Sequence, residues 1–423
     1  MRQEEFPVDL IERNKSLPID SGKIILIPGV RRCGKSSRMD LVINKLLSEG
    51  ISRQQILWIG FDDERLVNTP ADELHDIIEA YRELFPEIDF KKVYIFFDEI
   101  QLIKEWEYFV LKLFKRYTPN IFISGSNATM LSSEMNSALR GWPLEELTYP
   151  LSFREYCRFK NIDADSWLEQ DQAKIRNAFL EYNSEGGFPE VVLLDNQIMK
   201  MKVLQSYFDI MLLRDIAEHY KISNIEGLRY FIKRIFSTQT KPVSIRSLHN
   251  DMKSQGLKVS KDDLYDWCEH AQSVFLISKL QQYSDSFQKS ERSLPKYYCI
   301  DNGLRDAVLL PRSGDEGKKL ENIVYLHLLR NLSVNEKLFY YKGQKECDFV
   351  VQSDTKITKL IQVCWDLSDD ETRSREIEGL REAAGETGCR NLVIVTADSE
   401  EDINEQEDLT IKVIPAWKFL LDR

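Results

Sequence analysis

The segment Gly29-Val30-Arg31-Arg32-Cys33-Gly34-Lys35-Ser36 constrains this chain more than any other, because it fits the pattern G-x-x-x-x-G-K-[ST]. A strand that turns into a helix through glycines aims several backbone N–H groups and a positive helix end at one point. That geometry suits the β- and γ-phosphates of a nucleoside triphosphate. The flanks agree: Lys23 to Pro28 reads as a buried strand, and Ser36 to Leu47 carries Met39, Leu41, Val42, Leu46 and Leu47 at helical spacing. Gly29 and Gly34 would let the backbone curl, and Val30, Arg31, Arg32, Cys33 and Ser37 would complete the cradle. Lys35 would neutralise phosphate charge, and the Ser36 hydroxyl would ligate Mg²⁺. A glycine-bearing turn without a ligand is the competing reading.

Val93 to Phe97 is a continuous apolar run ending in Asp98-Glu99, the pattern of a buried parallel strand that delivers two carboxylates to its C-terminal edge. Asp98 would hold the Mg²⁺ shell, through water or Ser36. Glu99 would orient or deprotonate the water that attacks the γ-phosphate, a contribution of about 10²- to 10⁴-fold in rate. Alternatively the two acids cap a helix that begins near Trp106. A further strand, Asn120 to Ser124, ends in Gly125-Ser126-Asn127, where Ser126 or Asn127 could sense the γ-phosphate, or Asn127 could cap a helix. Arg140, within Ala138-Leu139-Arg140-Gly141, could reach a γ-phosphate of its own or a neighbouring subunit, or form a surface ion pair.

Taken together, GVRRCGKSS, FDDERL (Phe61 to Leu66), FFDEIQ (Phe96 to Gln101), SGSNA (Ser124 to Ala128) and ALRG (Ala138 to Gly141) resemble a prokaryotic family of AAA-type ATPases. Its members have an N-terminal ATPase core and a C-terminal domain labelled DUF4143, and are related to the archaeal ATPases. YPLSFREY (Tyr149 to Tyr156), GGFPEV (Gly186 to Val191) and LLRDIAEHYKI (Leu212 to Ile222) extend the resemblance over most of the chain. The resemblance implies ATP binding. It also implies a second arginine after ALRG, where this chain has Trp142.

A chain of 423 residues is too long for one core and suggests two or three domains. No apolar stretch approaches the ~18 residues that span a bilayer. The start, Met1 to Leu10, has Glu4, Glu5 and Asp9 and no apolar signal core, so a cytoplasmic protein is expected. The seven cysteines are scattered without a C-x-x-C pair, which indicates neither a disulfide framework nor a zinc site. Cys33 reads as a small side chain fitting the turn, with a thiol that could make the site sensitive to alkylation. The five histidines have no ligand spacing.

Leu151 to Asp209 reads as helices broken by Gly186-Gly187-Phe188-Pro189, a lid linking the ATPase core to the C-terminal half of the chain. From Leu228 the order is helix, short helix, turn, helix, then two strands (Val274 to Gln282 and Lys296 to Ile300) around a polar loop, Tyr283 to Leu294; this is the order of a winged helix. Ser244 can cap its second helix, and Ser260 with Asp263 forms a capping box for its third. Between Arg229 and Lys261 lie eight basic residues and one acid, Asp251, in a chain of net charge −12. Such a patch suits a confined anionic partner such as duplex DNA. Against that, Asp262, Asp263, Asp266 and Glu269 on the third helix would repel phosphates, so a protein-contact role stays open.

The last third reads as a helix (Leu320 to Leu329), three strands (Leu338 to Lys342, Cys347 to Val351, Lys359 to Trp365), a helix (Asp370 to Glu386) and strands Asn391 to Thr396 and Thr410 to Pro415. The acidic run Asp398 to Asp408 reads as a solvated loop. By topology and spacing, Glu321, Glu346-Cys347-Asp348 and Gln362-Val363-Cys364 fall where the restriction-endonuclease-like fold keeps its acids and its E-x-K strand. Gln362 replaces a carboxylate there and Cys364 the lysine. Asp348 and Glu321 alone would bind a divalent metal weakly. Lys342 or Lys345 could supply a lysine from a neighbouring strand.

The expected architecture is α/β: a P-loop (ASCE/AAA-type) parallel-sheet core over residues 1–150, a helical lid and linker over 151–223, a winged-helix domain over 224–312 and a degenerate restriction-endonuclease-like domain over 313–423. The expected function is a Mg²⁺-dependent ATPase that couples nucleotide state to the later domains. An ATP-gated DNA nuclease and a slow ATP switch that scaffolds protein partners are the alternatives.

Overall fold

The computed structural model describes residues 6–7, 9–66, 69–70, 73–126, 141–284, 286–309, 314–405 and 409–422. The chain divides into two compact units, residues 1–149 with 273–275, and residues 150–272 with 276–423.

In the first unit a five-stranded sheet is built from β1 (Ile24–Pro28), β2 (Ile56–Gly60), β3 (Tyr94–Asp98), β4 (Ile121–Gly125) and β5 (Pro143–Glu145) in the order β2-β3-β4-β1-β5. Every pairing is parallel. Parallel strands need crossovers, and α1 (Lys35–Ser48), α2 (Leu74–Leu84) and α3 (Trp106–Arg116) lie between successive strands in sequence. Strands buried on both faces read as unbroken apolar runs, which explains IILIP and YIFF. The period of two sorts their side chains. Ile25, Ile27, Phe96 and Phe122 pack with Met39, Val42, Ile43 and Leu46 of α1. Leu26, Ile95, Phe97, Ile121 and Ile123 pack with Ile78 of α2 and Trp106, Phe109 and Leu113 of α3. The order inserts β4 between β1 and β3, so the loops leaving these three strands emerge side by side at one sheet edge.

The second unit begins with helices Phe153–Phe159, Glu169–Glu185 and Gln197–Ile210. The Gly186-Gly187 break in the helical segment expected as a lid is packed inside this unit. Phe188 is fully buried, Leu151 N–H donates to Gly187 O (2.7 Å), and Gly187 N–H donates to the Asp301 carboxylate (2.6 Å). A Cβ on Gly187 would lie 2.5 Å from Leu151 O, so backbone proximity explains the glycine. Helix Gln197–Ile210 continues into a π-helical stretch, Met211–Glu218; three helices follow, Ile225–Ser237, Ile245–Ser254 and Lys261–Ser273, then the antiparallel pair β6 (Ile277–Leu280) and β7 (Lys296–Cys299). Ser244 and Ser260 cap the second and third helices through Ser247 N–H and Asp263 N–H. The connection between β6 and β7, expected as a polar loop, contains a short helix, Phe287–Arg292, tied back by Ser290 Oγ donating to Gln282 O (2.6 Å).

The chain then enters a six-stranded sheet, order β12-β13-β11-β10-β9-β8. Its strands are β8 (Glu336–Lys342), β9 (Glu346–Ser353), β10 (Lys356–Val363), β11 (Leu392–Thr396), β12 (Glu401–Glu405) and β13 (Leu409–Pro415). β8, β9 and β10 are antiparallel neighbours, whereas β10, β11 and β13 run parallel. Helix Asp370–Thr387 covers one face through Ile377, Leu380 and Ala383. Phe349, Val351, Ile361 and Val393 face the core that contains Ile323 and Val324 of helix Glu316–Asn331. The acidic run expected as a loop contains the edge strand β12, paired antiparallel to β13. Its charge is met by Arg373, whose guanidinium donates to both oxygens of Glu401 at 2.7 and 2.8 Å; a charged edge also discourages pairing with other chains.

Ile123 is fully buried in β4, whereas Leu144 of edge strand β5 is 39% exposed. Ile123→Ala should therefore lose about 2–5 kcal/mol in urea unfolding, and Leu144→Ala within about 0.5 kcal/mol. Equal losses would contradict the strand order.

Candidate functional site

Between β1 and α1 the backbone makes the tight turn that the glycines permit. Gly34 has φ 96° and Arg32 φ 66°, both left-handed. A Cβ on Gly29 would sit 2.2 Å from Thr148 O, so a segment after β5 closes directly against the loop. The underside of the loop is pinned by side chains. Cys33 Sγ donates to Thr148 O (3.2 Å), and Arg13 donates to Cys33 O (3.0 Å) and Tyr149 O (2.8 Å). From the first turns of α1, Arg38 donates to Thr148 Oγ1 (2.8 Å) and Lys15 O (3.2 Å). Burial pushes the Cys33 thiol up, against the opposing pull of Lys35, Arg13 and Arg38.

Across the sheet edge, the end of β3 meets the start of α1. Ser36 Oγ donates to Asp98 Oδ2 at 2.6 Å, and Ser124 Oγ at the end of β4 donates to Asp98 Oδ1. Burial raises the Asp98 carboxyl above its ordinary value, the two hydroxyl donors oppose the rise, and neighbouring Glu99 adds to it. Glu99 has left-handed backbone (φ 53°), an uncommon conformation for a non-glycine residue and one that concentrates at functional sites. Its N–H donates to Ser124 Oγ (3.3 Å). Its carboxylate accepts from Gln101 Nε2 and from Ser126 Oγ (3.2 Å), and lies 3.7 Å from Lys35 Nζ. Burial alone would raise Glu99, but Lys35, Arg31, Gln101 and Ser126 together outweigh it and hold the carboxyl below its usual value. Glu99 is thus a half-buried carboxylate, 15% exposed, whose neighbours favour its ionised form. Lys35 also donates to Gly29 O (3.1 Å) and Val30 O (3.2 Å), so its ammonium is folded into the loop.

The site therefore gathers Gly29, Gly34, Lys35, Ser36, Asp98, Glu99 and Ser126, all expected from the motifs. Neither acid caps the helix at Trp106, where Glu105 holds the N-cap position; Asp98 bonds Ser36 and Ser124, and Glu99, which precedes the short turn Ile100–Leu102 without a side-chain capping bond, bonds Gln101 and Ser126. Asn127 and Arg140 lie outside the described residues. Trp142 packs beside Phe114, 5.1 Å between ring centroids, with Lys23 Nζ 5.3 Å from its ring. Three site residues went unassigned from sequence: Ser124, Gln101 and Thr148. Ser124 and Gln101 stand inside the SGSNA and FFDEIQ motifs, but their roles depend on which strands are neighbours. Thr148 meets Cys33 through its carbonyl and Arg38 through its hydroxyl, contacts that its place after β5 creates and its residue type does not signal.

Residues 21–157 match the family model described as an AAA domain, and residues 176–315 match that of a domain of unknown function, DUF8612. The second match replaces the DUF4143 suggested by the motifs. The uncharacterized protein MJ1544 of Methanocaldococcus jannaschii is 32% identical over 421 residues, which cover 97% of this chain and 91% of that protein. This chain belongs to the same family. An uncharacterized protein of Haemophilus influenzae is 30% identical over 352 residues, covering 83% of this chain and 84% of its own. The family is thus one of AAA-type P-loop proteins, and nucleotide binding is a property of its first unit. Among solved structures, the Aeropyrum pernix Orc1 protein in complex with DNA aligns at 12% identity and a TM-score of 0.28, over 68% of this chain and 86% of its own; a likeness at that level carries no argument here. Among the described residues no helix is long and apolar enough to cross a membrane.

Cys33 is fully buried, and its thiol is raised. Thiolate is the reactive form, so iodoacetamide at neutral pH should leave Cys33 unmodified in the native protein and modify it after denaturation, as read by peptide mass spectrometry. Native labelling at the denatured rate would contradict the packing.

Proposed function

We propose that the chain hydrolyses ATP to ADP and phosphate in its first unit. The observation that carries this reading is the convergence of Ser36 with Asp98 (2.6 Å) and of Lys35 with Glu99 (3.7 Å) at one sheet edge. The phosphates would lie on the N–H groups of residues 29–37, with Lys35 released from Gly29 O and Val30 O to meet them. The hydroxyl of Ser36 and the carboxylate of Asp98 are adjacent oxygen donors that fit a hard divalent cation, so these two residues would hold Mg²⁺. When bound, the ion would supply charge neutralisation at the β- and γ-phosphate oxygens. Glu99, ionised and oriented by Gln101 and Ser126, would accept the proton of the attacking water. Ser126 would also sense the γ-phosphate, through its bond to Glu99. Asn127 as a second sensor and Arg140 as a phosphate contact rest on their motifs alone.

A slow nucleotide switch is the second reading. It is favoured by the engagement of Glu99 with Lys35, Gln101 and Ser126, which must loosen before the carboxylate can meet water. One experiment separates the two. Lys35→Ala should abolish tight ATP binding, while Glu99→Gln should bind ATP normally and lose about 10²-fold or more of its turnover. Equal ATP affinity in wild type and Lys35→Ala would sink the site assignment. Wild-type turnover no faster than that of Glu99→Gln would favour the switch.

We further propose that residues 224–312 act as a winged helix and that residues 313–423 are a degenerate restriction-endonuclease-like domain, in a cytoplasmic protein. Duplex DNA is the proposed partner of the former. Of its basic residues, Arg229 and Arg234 are engaged by Asp209 and Asp251, whereas Lys241, Arg246, Lys253, Lys258 and Lys261 are exposed. Phosphate contacts release counterions, so affinity for duplex should fall steeply with salt. Reversing the charge of Lys253, Lys258 and Lys261 together should lower both affinity and salt slope in an electrophoretic shift series. A protein that shifts no duplex at low salt would instead be using this segment for protein contacts.

A further inference from the structure

Lys296 of β7 is fully buried, and its ammonium stands among three carboxylates. Nζ lies 3.1 Å from Glu321 Oε1, 3.0 Å from Asp348 Oδ1 and 2.8 Å from Glu346 Oε1. An ammonium has three N–H donors, and here each has one carboxylate acceptor. The face of Tyr340 closes the pocket, its centroid 5.3 Å from Nζ. The three carboxylates have further partners. Tyr298 donates to Glu321 Oε1 (2.7 Å), Val363 N–H donates to Asp348 Oδ2 (3.0 Å), and Lys342 donates to Glu346 Oε2 (3.0 Å). Lysines Lys342 and Lys345, suggested by sequence as neighbours of Asp348, do not take this place; Lys342 meets Glu346 and Lys345 meets Glu378. Gln362 spans Asp348 N–H (3.1 Å) and the Glu376 carboxylate, and Cys364 Sγ donates to Asp366 O (3.1 Å).

A divalent cation held by carboxylates needs their oxygens to converge on one point with room for the ion. Here that point is filled by a positive charge belonging to the chain. We infer that Lys296 is the resident cation of this acidic set, so that Glu321, Glu346 and Asp348 dock the β6–β7 pair onto the C-terminal sheet rather than gather a metal ion for cleavage. The backbone supports the same docking: Tyr283 N–H donates to Tyr340 O (2.7 Å) and Tyr340 N–H to Gln281 O (3.0 Å) beside β8. Burial and the nearness of Asp348 push the Glu321 carboxyl up, as expected where three acids share one buried ammonium. All these residues belong to the second unit, and the inference does not depend on the ATP site.

Nucleotide-free full-length protein tests it by thermal melting with and without millimolar Mn²⁺. Every chain carries Asp98→Asn, so that the phosphate-site acid adds no metal response. Lys296→Met leaves buried carboxylates without their counter-charge and should melt on the order of 10 °C lower. The triple variant Lys296→Met, Glu321→Gln, Asp348→Asn removes the two more buried charges, leaves Glu346 to its partner Lys342, and should recover most of that loss. Mn²⁺ should raise the melting temperature of Lys296→Met and leave that of the Lys296 chain unchanged. If Lys296→Met does not fold, a folded triple variant still supports the inference, and a triple variant that also fails overturns it. It is equally overturned if Lys296→Met melts like its parent, or if Mn²⁺ stabilises the Lys296 chain in a manner lost with Asp348→Asn. Mn²⁺-dependent cleavage of linear or branched DNA by wild type, abolished by Asp348→Ala, would overturn it too.

Discussion

Asp98 accepts a hydroxyl from Ser36 on one side and from Ser124 on the other, and those two bonds join the ends of three elements that are far apart in sequence. The geometry of the whole site depends on them. Ser36 belongs to the first turn of α1, Asp98 ends β3, and Ser124 lies one residue before the end of β4. They meet because β4 lies between β1 and β3, which brings the phosphate loop and the acidic pair to a common edge. Once Asp98 is fixed, the left-handed turn at Glu99 directs the next carboxylate toward Lys35. A buried carboxylate without donors would carry a large desolvation cost, and here the hydroxyl pair opposes part of it.

Much of this was legible in the sequence because each local signal has a single mechanical meaning. Apolar runs of five residues, broken by Gly-rich turns or by paired acids, specify strands buried on both faces; Gly29 marks where a Cβ would obstruct the turn and Gly34 where the backbone is left-handed. Ser124, Gln101 and the Thr148 carbonyl were not legible, because their importance comes from neighbours set by strand order and not by residue type. The acidic strand Glu401–Glu405 was missed for a related reason. Its charges read as solvated, and only the docking of Arg373 and the pairing with β13 reveal an edge strand.

In the second unit the sequence identified the acids and not the lysine that pairs with them. Asp348 and Glu321 were recognised by spacing, and the lysine was sought on the adjacent strands at 342 or 345. It arrives from β7, separated from Asp348 by 52 positions, through a pairing that brings the β6–β7 pair against β8. Local spacing cannot report such a contact. The chemistry is nevertheless simple, since buried carboxylates require positive charge and the chain supplies it from whichever element lies nearest.

The most direct measurement for the nucleotide site is a crystal structure of the Glu99→Gln protein grown with ATP and Mg²⁺. The account predicts the triphosphate on the N–H groups of residues 29–37, Lys35 Nζ withdrawn from Gly29 O and Val30 O onto the phosphates, and Mg²⁺ bound by the Ser36 hydroxyl beside Asp98. A nucleotide bound elsewhere, or a Lys35 still folded into the loop with no phosphate near it at saturating ATP, would contradict it.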